Sequence, residues 1–208
     1  MKTPRPKQRR FKAEKRRVLI VTGTPGAGKS TVSKELASKI GARLVSVGRL
    51  VETEGLHIGR DRKRNSLIAD MEKVSEKIKE ILAESSGDVV IEGHYAVDVV
   101  VPEKVKFVFV LRRDPVELRK VLTERGYREE KIRENLAAEI LDVCLYDAVN
   151  RCGRDKVCEV DVTGKKVDDV MKEIFQILDG KKPCSIGIVD WLSRLESAGK
   201  LDEYLAEF

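Results

Sequence analysis

The chain has 208 residues, a net charge of +6, and 41% hydrophobic against 37% charged residues. That length suits one compact α/β domain with a full core rather than two large domains. No apolar run is long enough to span a bilayer and no N-terminal apolar stretch resembles a signal peptide, so the sequence predicts a soluble, cytoplasmic protein with no membrane partner.

The charge is concentrated at one end. Residues 1–17 hold nine Lys or Arg and the single acid Glu14, which is +8, leaving −2 for the rest of the chain. A block of like charge repels itself unless phosphate neutralises it. Residues 1–17 are therefore read as a disordered basic arm, either a solvated tail or a segment that contacts rRNA.

Val18–Thr22 is a short apolar, β-branched run, the pattern of a buried strand. A Gly-rich loop follows, then a helix from about Lys29 to Ile40 with Val32, Leu36 and Ile40 on one face and Gly41 as its stop. Arg43–Val47 reads as a second strand and Gly48–Glu54 as a short helix. Gly55–Arg64 is polar and basic and reads as a loop. Asn65 is placed as the cap of a long helix that buries Ile68, Met71, Val74, Ile78, Ile81 and Leu82.

Val89–Ile91 and Val105–Leu111 read as the third and fourth strands, the latter apolar throughout and so buried on both faces. Asp114-Pro115-Val116-Glu117 is a helix start: N-cap, proline at the first helical position, and a glutamate to complete a capping box. That helix stops near Gly126. One helix is expected from about Glu129 to Asn150, a fifth strand over Val157–Val162, a helix over Val167–Leu178, and one or two amphipathic helices around Trp191, Leu192, Leu195, Tyr204 and Leu205. Strands alternating with helices predict a parallel sheet covered on both faces, with ligands at the carboxyl ends of its strands.

The cysteines (Cys144, Cys152, Cys158, Cys184) form no CxxC pair, and His57 and His94 are not spaced with them as zinc ligands. Cys152 and Cys158 flank a predicted turn and would suit a disulfide in a hyperthermophile.

The chemistry resides in Gly23-Thr24-Pro25-Gly26-Ala27-Gly28-Lys29-Ser30, a full GxxxxGK[ST] match with a strand before it and a helix after. Glycines permit positive φ and close approach of phosphate oxygens to the backbone. The loop N–H groups and the helix end form an anion nest, Lys29 supplies a point charge for the β- and γ-phosphates, and the Ser30 hydroxyl suits Mg²⁺. Thr31 follows as an α-phosphate contact. ATP and Mg²⁺ are the implied cofactors, held by Gly23, Gly26, Gly28, Lys29, Ser30 and Thr31. Val89–Ile91 ends in Glu92-Gly93-His94, which places an acid beside the Mg²⁺ position and a histidine suited to position an attacking water. Phosphoryl transfer also needs cations. The candidates are Arg112, Arg125, Arg128 and the set Arg60, Arg62 and Arg64, with Arg125 preferred because it sits in a short turn between two helices.

Residues 18–179 resemble a nucleoside monophosphate kinase, and more closely the small adenylate kinase/ATPase family that includes the coilin-interacting nuclear ATPase protein. The stretches that carry this are Thr22-Gly23-Thr24-Pro25-Gly26 with Gly28-Lys29; Glu35-Leu36-Ala37-Ser38; Val47-Gly48 then Leu50; Phe107–Arg112; Arg125-Gly126-Tyr127; and Asn135 with Glu139-Ile140. The resemblance implies a P-loop fold with a five-stranded parallel sheet, a small NMP-binding insert at about 48–71 and a short lid at about 123–134, within a domain of residues 18–180. Residues 181–208 form a C-terminal helical extension outside it. It further implies ATP contacts from Arg125, broad-specificity adenylate kinase activity with AMP as acceptor, ATP hydrolysis, and a part in late small-subunit (16S rRNA) maturation through a platform ribosomal protein of the S-eleven type. The chain departs from that family in having Glu92 where Asp is usual and Arg49 where Gly-Asp-Leu is usual. Two other readings stand beside this one: a purely metabolic nucleotide kinase, and a nucleotide-gated binding module for a ribosomal protein with vestigial transfer activity.

Overall fold

The computed structural model describes residues 16–62 and 66–205. Nearly all of the basic arm lies outside the described residues, as do Arg64 and the expected cap Asn65. The arm's last residue is part of the fold: the Arg17 backbone N–H donates to Asp88 Oδ1 at 2.8 Å, and its guanidinium meets Oδ2 of the same carboxylate at 2.5 Å.

Five parallel strands form the sheet: β1 (Val18–Thr22), β2 (Arg43–Ser46), β5 (Val89–Glu92), β6 (Val105–Arg112) and β7 (Val157–Asp161), in the order β2-β5-β1-β6-β7. The central strand β1 is buried along its whole length. Because side chains alternate across a strand, Val18 and Ile20 feed one core and Leu19 and Val21 the other. The first core packs α3 (Met71–Glu84) and α6 (Val143–Cys152) through Val74, Ile78 and Ala148. The second packs α1 (Lys29–Ile40) and α7 (Val167–Leu178) through Leu36, Val170 and Ile174. A third cluster lies to one side, where α4 (Pro115–Glu124) and α5 (Glu129–Ile140) meet α8 (Trp191–Ser197) and α9 (Leu201–Leu205).

The structure departs from the sequence reading in several places. The segment after α2 (Val47–Thr53) is not a loop feeding a long helix. It is an antiparallel hairpin of β3 (His57–Asp61) and β4 (Ser66–Ala69), and α3 starts only at Met71, with Asp70 Oδ1 accepting from Lys73 N at 3.3 Å. Ile58 and Ile68 are exposed there, so Ile68 is a strand residue and not part of a helical core face. The expected helix 129–150 breaks at Asp142, whose φ of 57° is the left-handed conformation, leaving α5 and α6 as separate helices. Asp114 caps α4 by accepting from Val116 N at 2.8 Å, but Glu117 does not close a capping box: its Oε2 accepts from Gly164 N instead. The disulfide joins Cys158 to Cys184, and Cys152 is a free, buried thiol.

Candidate active site

The loop between β1 and α1 takes positive φ at Gly23, Gly26 and Gly28 (136°, 95° and 96°). At Gly23 a Cβ would lie 2.4 Å from the Leu111 carbonyl oxygen, so the loop seats on β6 only because no side chain is there. Gly28 also serves as the N-cap of α1, which aims the helix's unpaired N–H groups into the loop. The Lys29 ammonium donates to the carbonyls of Gly23 at 2.8 Å and Thr24 at 3.1 Å. Burial draws its pKa below the ordinary lysine value; Cys144, Glu92 and Glu139 act in the opposite sense and Arg125 in the same sense. These four groups from four separate segments are therefore gathered around one ammonium.

The loop forms one wall of a cleft of about 590 Å³. Gly26, Gly28, Lys29, Ser30 and Thr31 line it together with Arg125, His94 and Tyr95. Ser66, Leu67 and Ala69 of the hairpin and Asp98, Val143, Cys144 and Asp147 also line it. His94 faces the cleft with its ring edge-on to Tyr95, centroids 4.3 Å apart. Its backbone carbonyl accepts from the Thr22 hydroxyl at 3.2 Å, which ties this loop to the end of β1. Desolvation at the floor of the cleft, with Lys29 and Lys131 adding positive potential, holds the imidazole down to about 4. It is thus neutral near pH 7. Burial pushes the Cys144 thiol up to about 11, so it remains uncharged beside Lys29.

The residues present fit a nucleotide triphosphate with Mg²⁺. The loop's shape depends on glycine where it seats against the fold: a Cβ at Gly26 would meet Leu118 at 2.7 Å, as one at Gly23 would meet Leu111. Ser30 opens α1 beside it, and Glu92 ends β5 largely buried, at 8% exposure. No cluster of three or more His, Cys, Asp or Glu suited to a metal occurs among the described residues.

A family model described as AAA domain matches residues 19–142. A "Putative adenylate kinase" of Methanocaldococcus jannaschii is 34% identical over 176 residues, covering 85% of this chain and 93% of that protein. One of the same name from Thermococcus onnurineus is 36% identical over 189 residues, covering 90% and 97%. The chain belongs to this adenylate kinase-like family. Among solved structures, a gluconokinase from Sinorhizobium meliloti 1021 aligns with a TM-score of 0.52 at 18% identity, over 79% of this chain and 93% of that one. A shikimate kinase from Bacteroides thetaiotaomicron aligns with a TM-score of 0.53 at 13% identity, over 78% and 98%. These two share the fold of the adenylate kinase-like chain. No helix among the described residues is long and apolar enough to cross a membrane.

The arginine candidates separate cleanly in this adenylate kinase-like site. Arg125 reaches the cleft from the turn between α4 and α5, where Gly126 has a φ of 71° and Tyr127 N returns to the Leu122 carbonyl at 3.1 Å, a helix-ending turn. Arg112 does not reach it. It is 2% exposed and holds Glu139, Glu159 and Asp142, a structural cluster beneath the site. Arg128 is the N-cap residue of α5, Arg60 and Arg62 fall on the exposed hairpin away from the cleft lining, and Arg64 lies outside the described residues. Arg113, adjacent to Arg112, escaped the sequence reading: its guanidinium lies 3.8 Å from where a Gly28 Cβ would be, and its buried Nε has no hydrogen-bond partner among the described residues. Tyr95, Lys131, Cys144 and Asp147 were also missed as cleft residues, since none sits in a recognisable motif.

Proposed function

We propose that the protein is a nucleoside monophosphate kinase of the adenylate kinase type, which transfers the ATP γ-phosphate to an NMP, AMP favoured, and which also hydrolyses ATP. The observation that carries this reading is one cleft lined both by the P-loop, with Lys29, Ser30 and Thr31 beside Arg125, and by the hairpin, with Ser66 and Leu67. Two phosphate-bearing substrates meeting end to end suit such a cavity.

In this reading the loop N–H groups from Gly23 to Ser30 hold the donor's phosphates. Lys29 exchanges the Gly23 and Thr24 carbonyls for β- and γ-phosphate oxygens, and Arg125 neutralises charge on the moving phosphoryl group. Mg²⁺, held by the Ser30 hydroxyl and by Glu92 through water, would supply further neutralisation of the phosphate oxygens. His94, neutral at pH 7, orients the attacking water in hydrolysis.

The hydrolytic side is supported by the lid, which is no more than the turn around Arg125–Arg128 between two helices. A lid that short excludes water poorly, and water exclusion separates a kinase from an ATPase. The resemblance to the family of the coilin-interacting nuclear ATPase protein, with the +8 arm, supports service in late small-subunit maturation on a platform protein of the S-eleven type and its rRNA. The test follows ADP and free phosphate together, with ATP, Mg²⁺ and a panel of monophosphates. ADP formed from both donor and acceptor without free phosphate supports the kinase alone. Free phosphate without acceptor, rising when the platform ribosomal protein is added, supports the assembly ATPase. Neither product would sink both.

A further inference from the structure

The segment beyond residue 180 has no part in the reading above, and the family model stops at residue 142. It is nonetheless built into the domain. Cys184 is bonded to Cys158 of β7, and Ile188 N donates to Glu159 at 2.8 Å. Arg194 pairs with Asp114, the N-cap of α4, at 3.0 Å. Trp191 and Leu195 are buried against Leu118, Leu122, Ile132 and Leu136, the residues that flank the Arg125 turn.

The Trp191 indole N–H carries the argument further. It donates to Glu139 Oε1 at 3.1 Å, while Oε2 of the same carboxylate accepts from the Thr24 hydroxyl at 2.6 Å. Thr24 is a P-loop residue, and its carbonyl is one of the two that seat the Lys29 ammonium. Trp191, Glu139 and Thr24 are 4%, 2% and 1% exposed, so no water screens this chain of contacts. Arg112 Nε and the Arg113 backbone N–H also donate to Oε1, while Oε2 accepts from the Thr24 hydroxyl.

We propose that Trp191 is a positioning residue for the donor nucleotide: its indole N–H orients the Glu139 carboxylate, which holds Thr24 and with it the part of the P-loop that seats Lys29. The C-terminal segment thereby sets ATP affinity from outside the cleft. In a dry site each hydrogen bond polarises the next, so losing the indole N–H weakens the hold on the carboxylate that Thr24 shares. The relay rests on the proposed function only in requiring that the P-loop bind ATP. Trp191 is also the single tryptophan of the chain, so its emission reports on the relay directly.

The test measures binding of a non-hydrolysable ATP analogue with Mg²⁺, and separately of AMP, by calorimetry. Trp191→Phe keeps an aromatic ring in the cluster, removes the N–H and leaves part of the indole volume unfilled. It is expected to weaken analogue binding about threefold to tenfold, the worth of one buried hydrogen bond, with AMP binding unchanged. Thr24→Val should do the same, Thr24→Ser should restore wild-type binding, and the Trp191→Phe/Thr24→Val double variant should match the worse single variant instead of multiplying the two losses. Unchanged binding in Trp191→Phe, or multiplying losses, overturns the relay. A wild type that binds no ATP overturns the kinase reading and the relay with it. Should Trp191→Phe not fold, the wild type decides: saturation with the analogue should shift Trp191 emission and Thr24→Val should blunt that shift, and a silent Trp191 overturns the proposal.

Discussion

Arg112 and Glu139 form an ion pair, Nε to Oε1 at 2.8 Å, in which each side chain is only 2% exposed. Burial opposes the charge on Arg112, but Glu139, Asp142 and Glu159 together raise its pKa above the ordinary arginine value. The pair joins β6 to α5 beneath the P-loop. Removing the arginine leaves Glu139 and Glu159 buried without their charge partner. Arg112→Ala is expected to cost about 3–5 kcal/mol in urea unfolding, as broken buried pairs do. A loss under about 1 kcal/mol would mean that the cluster does not hold the core together.

Lys29→Ala removes the only lysine inside the P-loop. It should abolish both phosphoryl transfer and hydrolysis while leaving thermal unfolding near that of the wild type, because the ammonium's partners are loop carbonyls that the cleft can hydrate. Retained turnover in either assay would move the phosphate site elsewhere.

His94 is expected to stay neutral through the range where an ordinary histidine titrates. Its folded pKa of about 4 lies below the ordinary histidine value of 6.5, so the unfolded chain takes up a proton first as pH falls. The stability His94 contributes is therefore present above about pH 6.5 and is lost between there and about pH 4. Its ring resonances in an NMR titration should not shift above pH 5 and the rate should show no inflection near 6.5. If His94 positions the attacking water, His94→Ala loses hydrolysis more than transfer; equal losses would make its role structural.

Gly23→Ala and Gly28→Ala should differ although both positions need positive φ. A Cβ at Gly23 meets backbone, the Leu111 carbonyl, at 2.4 Å, whereas at Gly28 the nearest atom is the end of the Arg113 side chain at 3.8 Å. Backbone strain of about 1–2 kcal/mol is common to both. Thermal unfolding should show Gly23→Ala as clearly the more destabilised variant.

The Cys158–Cys184 bond closes a span of 26 residues over β7 and α7. Cys184→Ser should lower stability by about 3.5 kcal/mol, the loop-entropy value for a bridge of that span. Cys152→Ser should leave the bridge intact under non-reducing peptide mapping. Loss of the bridge in that variant would restore the Cys152–Cys158 pairing that the sequence suggests.

The sequence by itself determined the P-loop, the order of the parallel strands' apolar runs and the position of Arg125, because each is written in local chemistry. Glycines mark positive φ, unbroken β-branched runs mark strands buried on both faces, and a glycine next to an arginine marks a helix-ending turn. The hairpin β3–β4 was illegible because Leu67 and Ala69 pack against the core while the equally apolar Ile58 and Ile68 stay exposed, so apolar character does not mark its buried face. The break at Asp142 was illegible for a different reason. Nothing between Glu129 and Asn150 interrupts the helical period, and it is Arg112, thirty residues earlier, that bonds the Asp142 carboxylate where the chain turns left-handed. Only the tertiary structure decides such a pairing, since the charge that selects the conformation arrives from another strand.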